Sequence, residues 1–214
     1  MITKEGYSII GFTAFFLLIW LLLAFLWGGF VFYGLSIINA ALLIFHFFFF
    51  RDPDRLPPAK KNIILAPADG TIIKIDSVEE PEYLKEKAQM VSIFMSVFNV
   101  HVNRIPVTGK VDYYQYREGQ YLAAFNDRAC EANEQTHIGI QTDHGKIFFK
   151  QIAGLIARRI VCALNMGDNV KQGERFGVIK YGSRVDIFIP LGAQVMVNEK
   201  DKVTAGQTII GEWV

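Results

Sequence analysis

Apolar and polar positions divide the chain into two regimes. From Gly6 to Phe50 no Asp, Glu, Lys or Arg interrupts an apolar run of 45 residues. About 20 apolar residues cross the hydrocarbon core of a bilayer, so the run holds two spans rather than one. Gly28 and Gly29 divide it into Tyr7 to Trp27 and Phe30 to Phe50, two segments that each suffice. A helical pair buried in a soluble core would keep a polar stripe on each helix, and neither segment has one. Residues 1–50 are therefore expected to form a membrane-embedded helical hairpin. Lys4 precedes the run, and Arg51, Arg55, Lys60 and Lys61 follow it, so the positive-inside rule puts both ends on the cytoplasmic side of the cell membrane. A cleaved signal peptide is the competing reading. A single Lys before the first apolar stretch and a second apolar stretch directly after it speak against cleavage.

Beyond Phe50 the pattern changes. The stretch RDPDRLPP carries prolines that favour extended chain, and residues 51–61 read as a linker. Residues 62–214 then break into short runs rich in β-branched and aromatic residues, bounded by turn formers. Strands are expected at Asn62 to Leu65, Gly70 to Ile75, Val91 to Phe94, Val107 to Tyr114, His137 to Thr142, Lys146 to Ile152 and Arg159 to Leu164. Pro81 to Gln89 reads as a short surface helix, and Tyr121 to Ala132 as another helix or a loop.

An internal echo sharpens the fold. Asp168, Val170, Gly173 and Phe176 recur in the same spacing as Asp201, Val203, Gly206 and Ile209. Each unit reads as a tight turn between an incoming valine and a following strand, with glycine supplying the positive φ such turns require. The fold class is mainly β, a barrel-like sandwich similar to a duplicated biotinyl or lipoyl carrier domain, preceded by the hairpin.

Charge excludes one class of partner. Lys and Arg number 22 and Asp and Glu 21, so nothing draws nucleic acid to the protein. Cys130 and Cys162 lack metal-ligand spacing, and no metal site is expected.

Four segments carry candidate chemistry: APADG at Ala66 to Gly70, NVHVNR at Asn99 to Arg104, GLIARRIV at Gly154 to Val161, and YGSR at Tyr181 to Arg184. In this order and spacing the chain resembles the phosphatidylserine decarboxylase proenzyme family, and more closely its short form, which also acts on archaetidylserine. The resemblance implies self-cleavage between Gly182 and Ser183. The serine hydroxyl attacks the glycine carbonyl, elimination frees a β chain of residues 1–182, and the dehydroalanine left on the α chain of residues 183–214 hydrolyses to a pyruvoyl group. That covalent cofactor would decarboxylate a phosphatidylserine headgroup through a Schiff base.

The residue types suit this chemistry. A hydroxyl is a weak nucleophile and needs a neighbouring base, and glycine lets it approach its own backbone carbonyl. The resemblance casts Asp69 as the carboxylate that orients a histidine, in the sense of a serine-hydrolase triad. His101 is the candidate base, because Arg104 stands where the long form of the family has a second histidine. His144, in a turn, is the fallback. Arg104 and Arg158 are candidate contacts for the lipid phosphate, for which a guanidinium offers a bidentate fork. The number of subunits stays open, leaving monomer and homo-oligomer alike.

Two other classes fit less well. A membrane-tethered biotinyl or lipoyl carrier would display a lysine at a hairpin tip, and neither echoed turn shows the expected Met-Lys or Asp-Lys-Ala signature. A lysostaphin-like zinc peptidase would need HxxxD and HxH spacings, which are absent.

Overall fold

The computed structural model describes residues 1–119, 133–154 and 159–214. Tyr121 to Ala132 and Arg158 lie outside the described residues. The chain divides into two compact units, Met1–Asp54 and Arg55–Val214.

The first unit is a helical pair, α1 (Lys4–Trp27) and α2 (Phe30–Phe49), joined at Gly28 and Gly29. Both helices are long and apolar enough to cross a membrane, with mean hydropathies of 2.7 and 1.9. Their apolar side chains point outward, as at Phe12, Phe25 and Phe30. Inside the pair Thr13 Oγ1 meets His46 Nδ1 at 3.0 Å. The two ends are tied together where Thr3 N–H donates to the Phe50 carbonyl at 2.9 Å and Asp52 N–H to that of Met1 at 2.7 Å.

The second unit is mainly β, as the pattern of short runs predicts. Its strands are β1 (Ile63–Leu65), β2 (Gly70–Glu80), β3 (Glu86–Met95), β4 (Val102–Arg104), β5 (Gly109–Arg117), β6 (Gln135–Gln141) and β7 (Lys146–Ala153). They continue with β8 (Ile160–Cys162), β9 (Asn169–Val170), β10 (Arg175–Ile179), β11 (Ser183–Pro190), β12 (Ala193–Val195), β13 (Lys202–Val203) and β14 (Ile209–Trp213). The main sheet has the order β13-β2-β3-β11-β7-β6-β5-β9, and two three-stranded sheets, β1-β14-β12 and β4-β10-β8, complete the core.

The order of the main sheet reads as a palindrome about the β11–β7 pair, which is the duplication that the echo announces. Gly70 pairs with Val203 in one half, and Gly109 with Val170 in the other. Each half then carries a bulge at the same step, between Ile72 and Lys74 and between Val111 and Tyr113. The two echoed turns meet at their glycines, Gly173 with φ +83° and Gly206 with φ +71°. A Cβ on Gly206 would stand 3.6 Å from the Gly173 Cα. Inward-facing Ile, Val and Phe from both halves, among them Ile72, Ile93, Ile140, Phe149 and Val185, make one continuous core.

The expected helix at Pro81 to Gln89 is instead a turn followed by β3. The carboxylate of Glu80 accepts the N–H groups of Glu82, Tyr83 and Leu84 at 2.9, 2.8 and 2.6 Å, as it would at a helix start. Lys85 then adopts φ +59°, which stops helix growth and returns the chain to the sheet.

Candidate active site

The site forms where the chain passes from one sheet to another. β10 belongs to the three-stranded β4-β10-β8 sheet and β11 to the main one, so residues 180–182 must turn the chain sharply between them. Both Tyr181 and Gly182 adopt positive φ, +63° and +74°. Glycine does so freely, whereas a tyrosine held there stores on the order of 1 kcal/mol of backbone strain. Two left-handed residues in succession therefore end immediately before Ser183.

Ser183 opens β11, with Met95 and Ala153 as its cross-strand partners. It is fully buried, and its hydroxyl donates to the thioether of Met95 at 3.2 Å. A thioether is a weak acceptor, so the hydroxyl is held without being strongly bound.

His101 lies over the preceding peptide. The Gly182 N–H donates to its Nε2 at 3.3 Å, and its Nδ1 stands 3.0 Å from the Asn99 carbonyl. A carbonyl can only accept and the Gly182 N–H can only donate. Together they fix the neutral tautomer with the proton on Nδ1 and the lone pair on Nε2. Asn99 is itself fixed, since its side-chain oxygen accepts from both the N–H and the hydroxyl of Ser96 at 2.9 and 2.7 Å. The imidazole is buried, 1% exposed.

Among the described residues Asp69 bonds to Arg55 and Ala205. Its two oxygens accept from Arg55 Nη1 and Nη2 at 2.5 and 2.7 Å, and Oδ1 also accepts the Ala205 N–H at 2.8 Å. In the other half Thr108 Oγ1 accepts the Gln172 N–H at 3.0 Å. Asp69 and Thr108 thus occupy equivalent places and clamp equivalent turns.

The remaining candidates lie apart. Arg104 is buried, donates to the Gly173 carbonyl at 2.9 Å, and lines a hollow of about 490 Å³ with Arg55, Pro57 and Arg175. His144 sits in the β6–β7 turn, stacked on Trp213 with ring centroids 5.9 Å apart. His137 is buried behind the opposite face of the sheet, between Glu82 Oε2 at 2.7 Å and Gln135 Oε1 at 2.8 Å. Burial, with Lys150 nearby, pushes its imidazole down to about 4.

Sequence reasoning missed Met95, Asn99, Asn103, Gln151, Tyr181 and Arg55. One of them was detectable: Asn103 sits two residues beyond His101, on the same side of an extended chain. Its Nδ2 points to the Pro67 carbonyl and Met95 Sδ at 3.5 and 3.8 Å, and its Oδ1 accepts from Gln151 Nε2 at 2.8 Å.

Fold and site together define a duplicated β protein that places a serine, a glycine preceded by a strained tyrosine, and a neutral histidine at the head of its central strand. Comparison with known proteins adds the family. The phosphatidylserine decarboxylase family model matches residues 42–211, and the chain belongs to that family. It is 49% identical over 174 residues to a phosphatidylserine decarboxylase proenzyme of Chlorobium luteolum, covering 81% of this chain and 82% of that one. A proenzyme of the same description from Wolbachia pipientis is 44% identical over 214 residues, covering 98% and 90%. One from Symbiobacterium thermophilum is 44% identical over 183 residues, covering 85% of each.

Proposed function

We propose that the chain is a self-processing, pyruvoyl-dependent decarboxylase that converts phosphatidylserine to phosphatidylethanolamine. The observation that carries this reading is the approach of His101 Nε2 to the Gly182 N–H, one peptide from Ser183.

In the first reaction Ser183 Oγ rotates away from Met95 and attacks the Gly182 carbonyl carbon, and His101 Nε2 takes the hydroxyl proton. The strain held at Tyr181 is released as the peptide opens. Elimination across Cα–Cβ of residue 183 separates the β chain of residues 1–182 from the α chain of residues 183–214. Asn99 serves as the orienting group for His101, and Asp69 holds the neighbouring turn through Arg55.

A pyruvoyl group fits position 183, since the side chain there is buried against an apolar thioether. When formed, it supplies an electrophilic carbonyl that binds the substrate amine and takes up the electrons left as carbon dioxide departs. His101 takes up a proton at Nε2 and returns it on that side, and burial keeps bulk solvent from the site. Arg104 faces the lipid phosphate from its hollow. The helical pair anchors the protein in the cell membrane with the β unit on the cytoplasmic side, where headgroups are concentrated at the interface.

Intact-mass measurement of the purified protein tests the reading. Two chains divided at Gly182–Ser183, the smaller one lacking the mass of an N-terminal serine, are expected. A sole full-length species with unmodified Ser183 overturns it.

A further inference from the structure

Behind Ser183 the interior carries polar groups that the reaction above does not use. Gln151 on β7 and Thr136 on β6 are cross-strand partners, both essentially unexposed. Paired residues share one face of a sheet, and theirs is the core face that also carries Ile138, Phe149 and Val185. The orientation of the Gln151 amide is fixed by a chain of bonds. The Pro67 carbonyl can only accept, so it selects the amide nitrogen of Asn103. Asn103 Oδ1 must then face Gln151 Nε2, and Gln151 Oε1 is turned away. That oxygen and Thr136 Oγ1 are both buried without a hydrogen-bond partner among the described residues.

Two orphaned oxygens on one side of a core cost about 1–3 kcal/mol each if nothing meets them. Water meets such pairs elsewhere in proteins when it finds two to four polar partners. Gln151 is also close to Ser183. Val185 pairs with Gln151 and Ser183 with Ala153, which makes Gln151 the diagonal neighbour of Ser183 on the same face, roughly 7 Å away. Gly177 lets β10 lie close against the Gln151 amide, since a Cβ there would come 3.0 Å from Gln151 Nε2.

We propose that Gln151 Oε1 and Thr136 Oγ1 form a subsite for one water molecule, and that this is the water consumed in making the cofactor. The inference rests on the self-processing reading. After the chain is cut, residue 183 is a dehydroalanine with a free amino group. Its Cβ takes up a proton, the water oxygen bonds to Cα, the Cα–N bond breaks and ammonia leaves. One water enters and one ammonia departs, with no oxidant or reductant. The step needs a water inside the site, because Ser183 is sealed from bulk solvent. Gln151 Oε1 accepts one of its protons, and Thr136 holds the oxygen so that a lone pair is free for Cα.

The test follows processing of the full chain in detergent by gel for cutting, by released ammonia, and by intact mass of the α chain. Thr136→Val removes an unpartnered hydroxyl, so the fold should be kept. The new end should lag behind cutting by about tenfold, as one hydrogen bond to the water is lost. Thr136→Ser should restore synchrony, and Gln151→Leu should lag further if it folds. Ammonia release in step with cutting in Thr136→Val, with the α chain at its final mass from the first time point, overturns the inference. Absence of cutting in the unaltered protein would instead overturn the self-processing reading.

Discussion

The two halves of the β unit share a backbone but not a chemistry. One half runs through the turn at Asp69, β2 and β3 to β11, and the other through the turn at Thr108, β5 and β6 to β7. Register sets their equivalences: Ile93 faces Val185 as Ile140 faces Ile147. Two residues back, Ser183 matches Gly145. At Gly145 the chain closes a tight hairpin, with the Thr142 N–H donating to the Gly145 carbonyl at 2.9 Å. At Ser183 it arrives from another sheet through two left-handed residues. Duplication supplied a rigid frame, and the candidate chemistry occupies the places where the halves stop matching.

The largest expected effect lies at the most unequal pair. Ser183→Ala gives Ser183 the inert character of its counterpart Gly145, and should leave one uncut chain on a gel and no decarboxylation. His101→Ala removes the proposed base and should slow cutting by about 10²- to 10⁴-fold. A slowing below threefold, measured from the time course of chain separation, would remove His101 from the site.

Asp69 and Thr108 sharpen the comparison. If Asp69 only clamps its turn, Asp69→Thr copies the other half. Cutting should then persist, while stability falls on the order of 3 kcal/mol because Arg55 loses its buried partner. Loss of cutting in a protein with a wild-type melting profile would return Asp69 to the catalytic group that the family resemblance assigns. Tyr181→Gly should relax the crossing, raising proenzyme stability by about 1 kcal/mol and slowing cutting several-fold.

The smallest effect is a pH dependence in the second half. His137 titrates at about 4 in the fold against 6.5 when unfolded. Between these values the unfolded chain binds the extra proton, so stability is fully present above 6.5 and is lost as pH falls toward 4. Glu82 adds in the same direction. Burial works upward on its carboxyl, but the bonds and charges of His137 and Lys150 hold it below its ordinary value. Denaturant titrations from pH 7 to pH 4 should show this slope, and His137→Gln should flatten it.

Much of the molecule is legible without coordinates, because hydrophobic patterning is local. An uncharged run of two bilayer lengths, short β-branched runs bounded by turn formers and a repeated Asp-Val-Gly spacing are properties of the chain itself, and so is the order of the four motifs that marks the family. The turn at Pro81 reads as a helix because Glu80 makes a helix-like start there, and Lys85 undoes it through a backbone angle that patterning does not report. The motif pairs Asp69 with His101, and nothing in it announces that Arg55, far from any motif, binds the same carboxylate.

Sequence by itself determined which residues are available: a serine after a glycine, a histidine, an aspartate and an apolar hairpin. Only the tertiary structure decided how they are used. The lone pair on His101 Nε2, the strain at Tyr181 and the orphaned oxygens of Gln151 and Thr136 each arise from groups brought together from distant parts of the chain. Hydrogen bonds and buried neighbours set them, and those depend on three-dimensional position rather than on order along the backbone.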